Sequence, residues 1–120
     1  MVNNDFILVV DDDEDIRESI CILLEDEGRR AVGAANGQEA LNALRTNGLP
    51  CVILLDLMMP IMDGAEFRRR QLADSQLAHI PVVLITAAGT AAAKAVPSNR
   101  VVPKPLKAES LIEAVAAFCP

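Results

Sequence analysis

Aromatic side chains are scarce in this sequence of 120 residues, which contains three Phe and neither Trp nor Tyr. Its core must therefore be aliphatic, and a hydrophobic fraction of 52% is enough to build one. No apolar run reaches the roughly 18 residues of a membrane span, and the first five residues lack the basic start of a signal peptide. We therefore expect a soluble, cytoplasmic protein.

Cysteine and histidine are also sparse. Cys21, Cys51 and Cys119 are widely spaced, and each lies among apolar residues. This pattern is more typical of reduced, partly buried thiols than of a metal site or a disulfide. The single histidine, His79, has no companions at ligand spacing, so we expect it on the surface.

Positive charge is outnumbered, with 11 basic against 17 acidic residues and a net charge of −6. The one basic cluster, Arg68 to Arg70, is flanked by acids and is expected on the exposed face of a helix. This balance disfavours direct binding to nucleic acid. The acids themselves are unevenly placed, and six of them crowd into positions 11–18.

Short apolar runs alternate with segments of helical spacing along the chain. Unbroken runs of Val, Ile and Leu are typical of strands buried on both faces of a parallel sheet. The pattern predicts one α/β domain over residues 1–120, a doubly wound five-stranded parallel sheet with helices on both faces. The predicted strands are 6–10, 31–35, 51–56, 80–85 and 100–102, and the helices are 13–27, 38–45, 63–72, a short or irregular one within 87–96, and 107–118.

Polar residues follow four of the predicted strands: Asp11 and Asp12, then Asp56, Thr86 and Lys104. Since ligands bind at the carboxyl ends of parallel strands, these side chains are expected to converge on one crevice. Three carboxylates brought together repel one another, so each would tend to hold its proton or to recruit a cation. A hard divalent ion such as Mg²⁺ would remove the repulsion. With a hydroxyl and an ammonium beside them, they would suit a phosphoryl group.

Each of these residues also has a structural interpretation when taken alone. An acidic run often begins a helix, a Thr after a strand is often a turn residue, and a Lys between prolines is often a loop residue. Asp56 is harder to explain in this way, because a charge that ends a buried strand is costly unless it is paired. The joint occurrence of the residues supports the functional prediction.

The same residues resemble the motifs of the receiver domain of response regulators, the phosphoacceptor half of two-component signalling. The matching motifs cover nearly the whole chain and occur in the family's order. The chain is similar in kind to single-domain, CheY-like receivers. The matching segments are Val9–Asp12, Ala35–Leu41, Leu55–Pro60, Met62–Gly64, Ile80–Ala87 and Lys104–Pro105.

The resemblance implies that Asp56 accepts a phosphoryl group from a histidine kinase or histidine phosphotransfer partner. Mg²⁺ would be bound by Asp12, Asp56 and the backbone carbonyl of Met58, with Asp11 acting mostly through water. Thr86 and Lys104 would contact the phosphoryl oxygens. The protein would catalyse only its own phosphorylation and dephosphorylation, and would signal by changing which protein it binds.

The resemblance further implies a strand order of 2-1-3-4-5 and a cis bond between Lys104 and Pro105. The sequence departs from the family's pattern at two places. Val101 stands where an aromatic residue is usual, and the segment between Thr86 and Lys104 is several residues shorter than expected. Both departures fall in the usual output face of a receiver.

Other functions are compatible with some of the same residues. The chain could be a phosphate relay or sink without conformational output, or a receiver fragment of a larger regulator or hybrid kinase. A Mg²⁺-dependent phosphatase with an Asp nucleophile is disfavoured, because such enzymes commonly carry an acid two positions later, where this chain has Met58. A phosphate-insensitive receiver is disfavoured because all the acidic-pocket residues are present.

Overall fold

The computed structural model describes residues 6–87 and 93–119. It contains five strands, and four α-helices lie entirely within the described residues, none long and apolar enough to cross a membrane. The strands are β1 (Phe6–Val10), β2 (Arg30–Ala34), β3 (Val52–Asp56), β4 (Val82–Thr86) and β5 (Arg100–Pro103). The helices are α1 (Glu14–Asp26), α2 (Gly37–Thr46), α3 (Gly64–Ala73) and α4 (Ala108–Ala116).

All strand pairs are parallel, and the sheet order is β2-β1-β3-β4-β5, which confirms the predicted topology. The direction of winding reverses between β1 and β3, so a crevice opens outside the carboxyl ends of these two strands. The register places Asp56 beside Ile85 and Thr86 beside Pro103. The predicted elements that lie within the described residues are confirmed to within two residues at each end.

The sheet separates two aliphatic cores. Every residue of β1, β3 and β4 is buried, as their unbroken apolar runs predict. Alternate side chains pack against α2 and α3 on one face and against α1 and α4 on the other. Phe67 of α3 anchors the first core, and Leu111 of α4 anchors the second; each is at most 1% exposed.

Three helices begin at a side chain that caps them. Asp13, Asn36 and Asp63 accept hydrogen bonds from the backbone N–H groups of Ile16, Glu39 and Glu66. Such caps stabilise a helix by about 1 kcal/mol each.

The expectation that all three arginines of α3 are exposed is wrong for Arg68, which is 7% exposed. Its Nε donates to the backbone O of Pro97 over 2.8 Å, and its Nη1 donates to Oε1 of Gln71 over 2.7 Å. Arg69 and Arg70 are exposed and pair with Glu66. Arg68 is buried because a distant loop supplies a carbonyl for its guanidinium.

The expectation of three reduced thiols is also wrong, because Cys51 and Cys119 form a disulfide. Cys51 precedes β3 and Cys119 follows α4, and the packing of α4 on the sheet brings their Cα atoms within 5.6 Å. The sequence separation of 68 residues concealed this proximity. Among the described residues Cys21 keeps a free thiol, and His79 is exposed as predicted.

The short or irregular helix predicted within 87–96 falls largely on residues 88–92, which lie outside the described residues. After this gap Ala93 and Val96 are buried. Val96 belongs to the same core as Phe67, so the segment that leads into β5 is anchored beside α3.

Candidate functional site

Three carboxylates meet at the carboxyl ends of β1 and β3. One oxygen from each of Asp11, Asp12 and Asp56 lies within 4.8 Å of the others. Asp11 and Asp56 are only 2% and 5% exposed, whereas Asp12 is exposed to solvent. Two nearly buried carboxylates therefore share a pocket with a third that solvent can reach.

Asp11 is held by hydrogen bonds to both its side chain and its backbone. Its Oδ1 accepts a hydrogen bond from the N–H of Asp13 over 2.9 Å. Its backbone N–H donates to the carbonyl of Ala34 in β2, and its backbone O accepts from Nη1 of Arg17 over 2.8 Å. These bonds leave Oδ2 directed at Lys104.

Lys104 is the cation of this pocket, and it comes from the end of β5. Its Nζ lies 3.4 Å from Oδ2 of Asp11 and 3.5 Å from Oδ2 of Asp56. Partial burial by itself lowers the pKa of Lys104, but the carboxylates of Asp56 and Asp11 outweigh it, and the pKa is raised. Lys104 is therefore a fixed positive charge, and its bond to Pro105 is cis as expected.

The electrostatic environment of Asp56 disfavours its charged form. Burial raises the pKa of Asp56, and the nearby Asp11 carboxylate raises it further. Lys104 and the N–H of Met58, which lies 3.4 Å from Oδ1, act in the opposite direction but do not cancel the shift. Three carboxylates against one ammonium leave an excess of negative charge in the pocket.

This donor set fits a hard divalent cation. The three carboxylates offer oxygen ligands, and Mg²⁺ prefers oxygen ligands and usually keeps several waters. The exposed Asp12 leaves one side of the cluster open to solvent, where such waters can lie. A second positive charge beside Lys104 would also offset the repulsion between Asp11 and Asp56.

Thr86 and Met58 lie on the same edge of the sheet. Thr86 is the last residue of β4 and is 3% exposed, and its backbone O accepts a hydrogen bond from the N–H of Lys104 over 3.1 Å. Met58 is 71% exposed, whereas the nearby Met59 and Met62 are buried. All the predicted site residues therefore come from strand ends or from the loops that leave them.

Two glycines hold the loop after Asp56 in place, and residue-by-residue reasoning assigned them no role. At Gly64 a Cβ atom would lie 2.5 Å from the backbone O of Asp56. At Gly37 it would lie 2.7 Å from Cγ of Met62, whose carbonyl accepts the Gly37 N–H. The Asn-Gly and Asp-Gly pairs that begin α2 and α3 were the available signal in the sequence.

Comparisons with known proteins agree with this architecture. The chain is 40% identical to the response regulator Rre1 of Synechocystis over 84 residues, which cover 69% of this chain but only 36% of Rre1. It is 37% identical over 119 residues to an uncharacterized 14.6 kDa protein of Leptolyngbya boryana, covering 94% of this chain and 88% of that one. The chain thus spans about a third of the length of the first relative and most of the second.

A solved structure shows the same fold. The chemotaxis response regulator CheY4 of Vibrio cholerae superposes with a TM-score of 0.85 at 29% identity, covering 97% of this chain and 99% of that one. The family model for the response regulator receiver domain matches residues 7–116. With its sheet order and the acidic strand ends of β1 and β3, the chain therefore belongs to the response regulator receiver domain family.

Proposed function

We propose that this chain is a phosphoacceptor that receives a phosphoryl group on Asp56, and that residues 1–120 act as one receiver unit. The observation that carries the proposal is the position of Asp56 at the end of β3, within reach of two further carboxylates and of the Lys104 ammonium. Family membership supports it independently, because the match includes the strand ends that contribute these residues.

Asp11, Asp12 and Asp56 are the residues that would hold Mg²⁺, together with the carbonyl of Met58. The ion would supply positive charge against which a phosphoryl group and a carboxylate can approach each other. The excess of negative charge in the pocket supports this assignment. Asp11 would act mostly through water and through its contact with Lys104.

In the proposed reaction, a carboxylate oxygen of Asp56 attacks the phosphorus of a phosphohistidine on a partner protein. A P–O bond to Asp56 forms as the P–N bond to the imidazole breaks, and the proton that the imidazole nitrogen needs comes from the partner or from solvent. Lys104 neutralises phosphoryl oxygens, while the Thr86 hydroxyl donates a hydrogen bond to one of them. Hydrolysis of the acyl phosphate then restores the carboxylate and releases inorganic phosphate. In this proposal the chain turns over no substrate other than its own phosphoryl group.

The partners proposed are a histidine kinase or a histidine phosphotransfer protein as donor, and a downstream protein as target. Signalling occurs through altered protein contacts rather than through direct binding to nucleic acid, in keeping with the acidic net charge. A cytoplasmic location belongs to the same proposal, because the phosphohistidine of such donors derives from ATP. Val101, which is 44% exposed on β5, lies at the usual output face.

A second version of the proposal makes the chain the receiver part of a longer regulator. The observation in its favour is the 36% coverage of Rre1, whose remaining length has no counterpart in this match. A phosphate relay or sink without conformational output is a third version. Both keep Asp56 as the acceptor and differ only in the fate of the signal after phosphorylation.

The proposal is tested with beryllium trifluoride, a stable analogue of a phosphoryl group, added to the protein with Mg²⁺. Amide NMR spectra should show saturable binding in the wild type, with shifts centred on Asp56, Thr86 and Lys104. Asp56→Asn should abolish it, whereas Asp15→Asn, which removes a nearby charge outside the cluster, should not. Equal binding by the Asp56→Asn variant would contradict the assignment.

A further inference from the structure

The Cys51–Cys119 disulfide lies at the edge of the sheet opposite the acidic pocket. Cys51 immediately precedes β3, and its N–H donates to the carbonyl of Phe6, at the start of β1, over 3.0 Å. Asp56 ends the same strand, and five residues at about 3.3 Å each separate the two sites by ~16 Å. The disulfide is therefore a feature distinct from the phosphorylation site.

An open groove of about 670 Å³ lies against this disulfide. Both cysteines line it, together with Arg29, His79 and Phe118. The volume is within the range of small-molecule sites in proteins. Arg29 is half-buried and His79 is exposed, so the groove offers a fixed cation and an imidazole to an incoming molecule. The guanidinium of Arg29 would favour a carboxylate on a small molecule that enters the groove.

The two cysteine residues are not equally exposed. Cys119 is 4% exposed, whereas Cys51 is only half-buried and opens onto the groove. A reagent that enters the groove therefore meets Cys51 first. Cys119 follows as the resolving partner, since the chain holds the two Cα atoms 5.6 Å apart, a separation that suits a disulfide.

The reduced form is accommodated as well. The Sγ of Cys51 lies 3.4 Å from the backbone O of Phe6, which can accept a hydrogen bond from a thiol S–H. Cys119 lies in an apolar core with Leu111 and Val115, where a thiol packs as a small hydrophobic group. Neither redox state leaves a polar group of the pair buried without a partner.

We propose that Cys51 and Cys119 form a reversible thiol–disulfide exchange site for a low-molecular-weight disulfide that carries carboxylates, such as glutathione disulfide. The thiolate of Cys51 attacks one sulfur of R–S–S–R, the S–S bond breaks, and one R–S⁻ leaves and takes up a proton. Cys119, which the fold holds against Cys51, then attacks the Cys51 sulfur as the Cys119 thiol gives its proton to the departing sulfur, which leaves as the second R–SH. The protein loses two electrons and two protons, and the small disulfide becomes two thiols.

The bond controls how firmly α4 is held to the sheet. This helix has only nine residues, and within the described structure its N-cap Lys107 makes no side-chain capping hydrogen bond. Oxidation ties its far end to β3 and restricts the unfolded chain across a 68-residue separation. In reducing compartments disulfides of this kind are usually transient or redox-sensing.

Cys21 provides an internal control. It is half-buried on α1, and burial raises the pKa of its thiol, with the nearby Glu25 adding to the effect. A thiol with a raised pKa forms less thiolate and exchanges slowly. Cys21 should therefore stay reduced under conditions that oxidise the pair.

The test equilibrates the reduced protein in glutathione buffers of increasing oxidation, blocks free thiols with an alkylating reagent, and measures intact mass. The wild type should pass from three alkylated thiols to one, and the thermal unfolding midpoint should rise by about 10 °C. Cys119→Ala should trap one glutathione on Cys51, while Cys51→Ser should trap none on Cys119. Cys21→Ser should behave as the wild type does.

Three alkylated thiols in the most oxidising folded sample would overturn the proposal. An adduct confined to Cys21, or equal trapping by the Cys51→Ser and Cys119→Ala variants, would do the same. Phosphorylation at Asp56 is measured separately on the same samples. Because the two sites lie at opposite edges of the sheet, failure of one chemistry is distinguishable from failure of the other.

Discussion

The ammonium of Lys104 lies 3.5 Å from Oδ2 of Asp56, although β4 separates their two strands in the sheet. Lys104 crosses the end of β4, where its backbone N–H bonds the carbonyl of Thr86. The contact therefore depends on the strand order and on the register of β4 with β5. It places a positive charge beside the carboxylate that we propose as the phosphoryl acceptor.

Removal of the Lys104 charge should destabilise the metal-free protein. Lys104→Met leaves the nearly buried Asp11 and Asp56 without their cation, so we expect the free energy of unfolding to fall by about 1–3 kcal/mol. Urea unfolding in the presence of a chelator measures this loss of stability. Lys107→Met, at an exposed position outside the pocket, should change stability by less than about 0.5 kcal/mol. Equal effects of the two substitutions would argue that the pocket contact contributes nothing.

Mg²⁺ should stabilise the folded protein, because its proposed ligands are brought together only on folding. An ion concentration one hundred times the dissociation constant would add about 2.7 kcal/mol. Asp12→Asn should reduce this gain, whereas Asp15→Asn, with the same charge change outside the cluster, should preserve it. The measurement is the unfolding midpoint across a Mg²⁺ titration, and identical titrations for both variants would contradict the ligand assignment.

Gly64→Ala should disturb the loop that follows Asp56. The new Cβ atom would lie 2.5 Å from the backbone O of Asp56, so the backbone must shift, at a cost of about 1–3 kcal/mol. Gly33→Ala is the matched control, because the atoms nearest to its Cβ would belong to the flexible side chain of Arg17, the first of them at 3.0 Å. Chemical unfolding of both variants gives the comparison, and a loss of stability no larger at Gly64 than at Gly33 would refute the packing argument.

Glu66 should make stability depend on pH in the acid range. Hydrogen bonds from Arg69 and Arg70 lower the pKa of Glu66 from 4.5 to about 2. Its stabilising contribution is fully present above pH 4.5, declines below it, and is lost as pH falls through about 2. The difference in stability between wild type and Glu66→Gln should therefore shrink on acidification. The difference at neutral pH should itself be small, because Glu66 and its two arginines are solvent-accessible. A difference in stability that stays constant from pH 6 to pH 3 would contradict the prediction.

The sequence was sufficient to predict the strands that are buried on both faces. β1 is an unbroken apolar run, and the apolar runs of β3 and β4 end at Asp56 and Thr86; such runs are typical of a central parallel strand. The convergence of Asp11, Asp12 and Asp56 followed from the same geometry, since parallel strands end at one edge. β4 begins at Val82 rather than at Ile80, because Pro81 has no N–H to contribute to the sheet ladder.

The features that sequence reasoning missed depend on contacts between distant segments. Arg68 is buried because Pro97, in the segment before β5, supplies an acceptor, and nothing in the local pattern of α3 indicates this. The disulfide arises from how α4 docks on the sheet, and the spacing of Cys51 and Cys119 in the chain does not encode that docking. The local pattern therefore indicates which residues end the strands, whereas the disulfide and the burial of Arg68 depend on tertiary packing.

Intact mass after incubation with acetyl phosphate, followed by peptide mapping, decides whether Asp56 is the acceptor. We expect a Mg²⁺-dependent gain of one phosphoryl group on Asp56 in the wild type and in Asp15→Asn. We expect no gain in Asp56→Asn or in the presence of a chelator. A phosphoryl group that still appears in Asp56→Asn, or that maps to another residue in the wild type, would contradict the assignment of Asp56 as the acceptor.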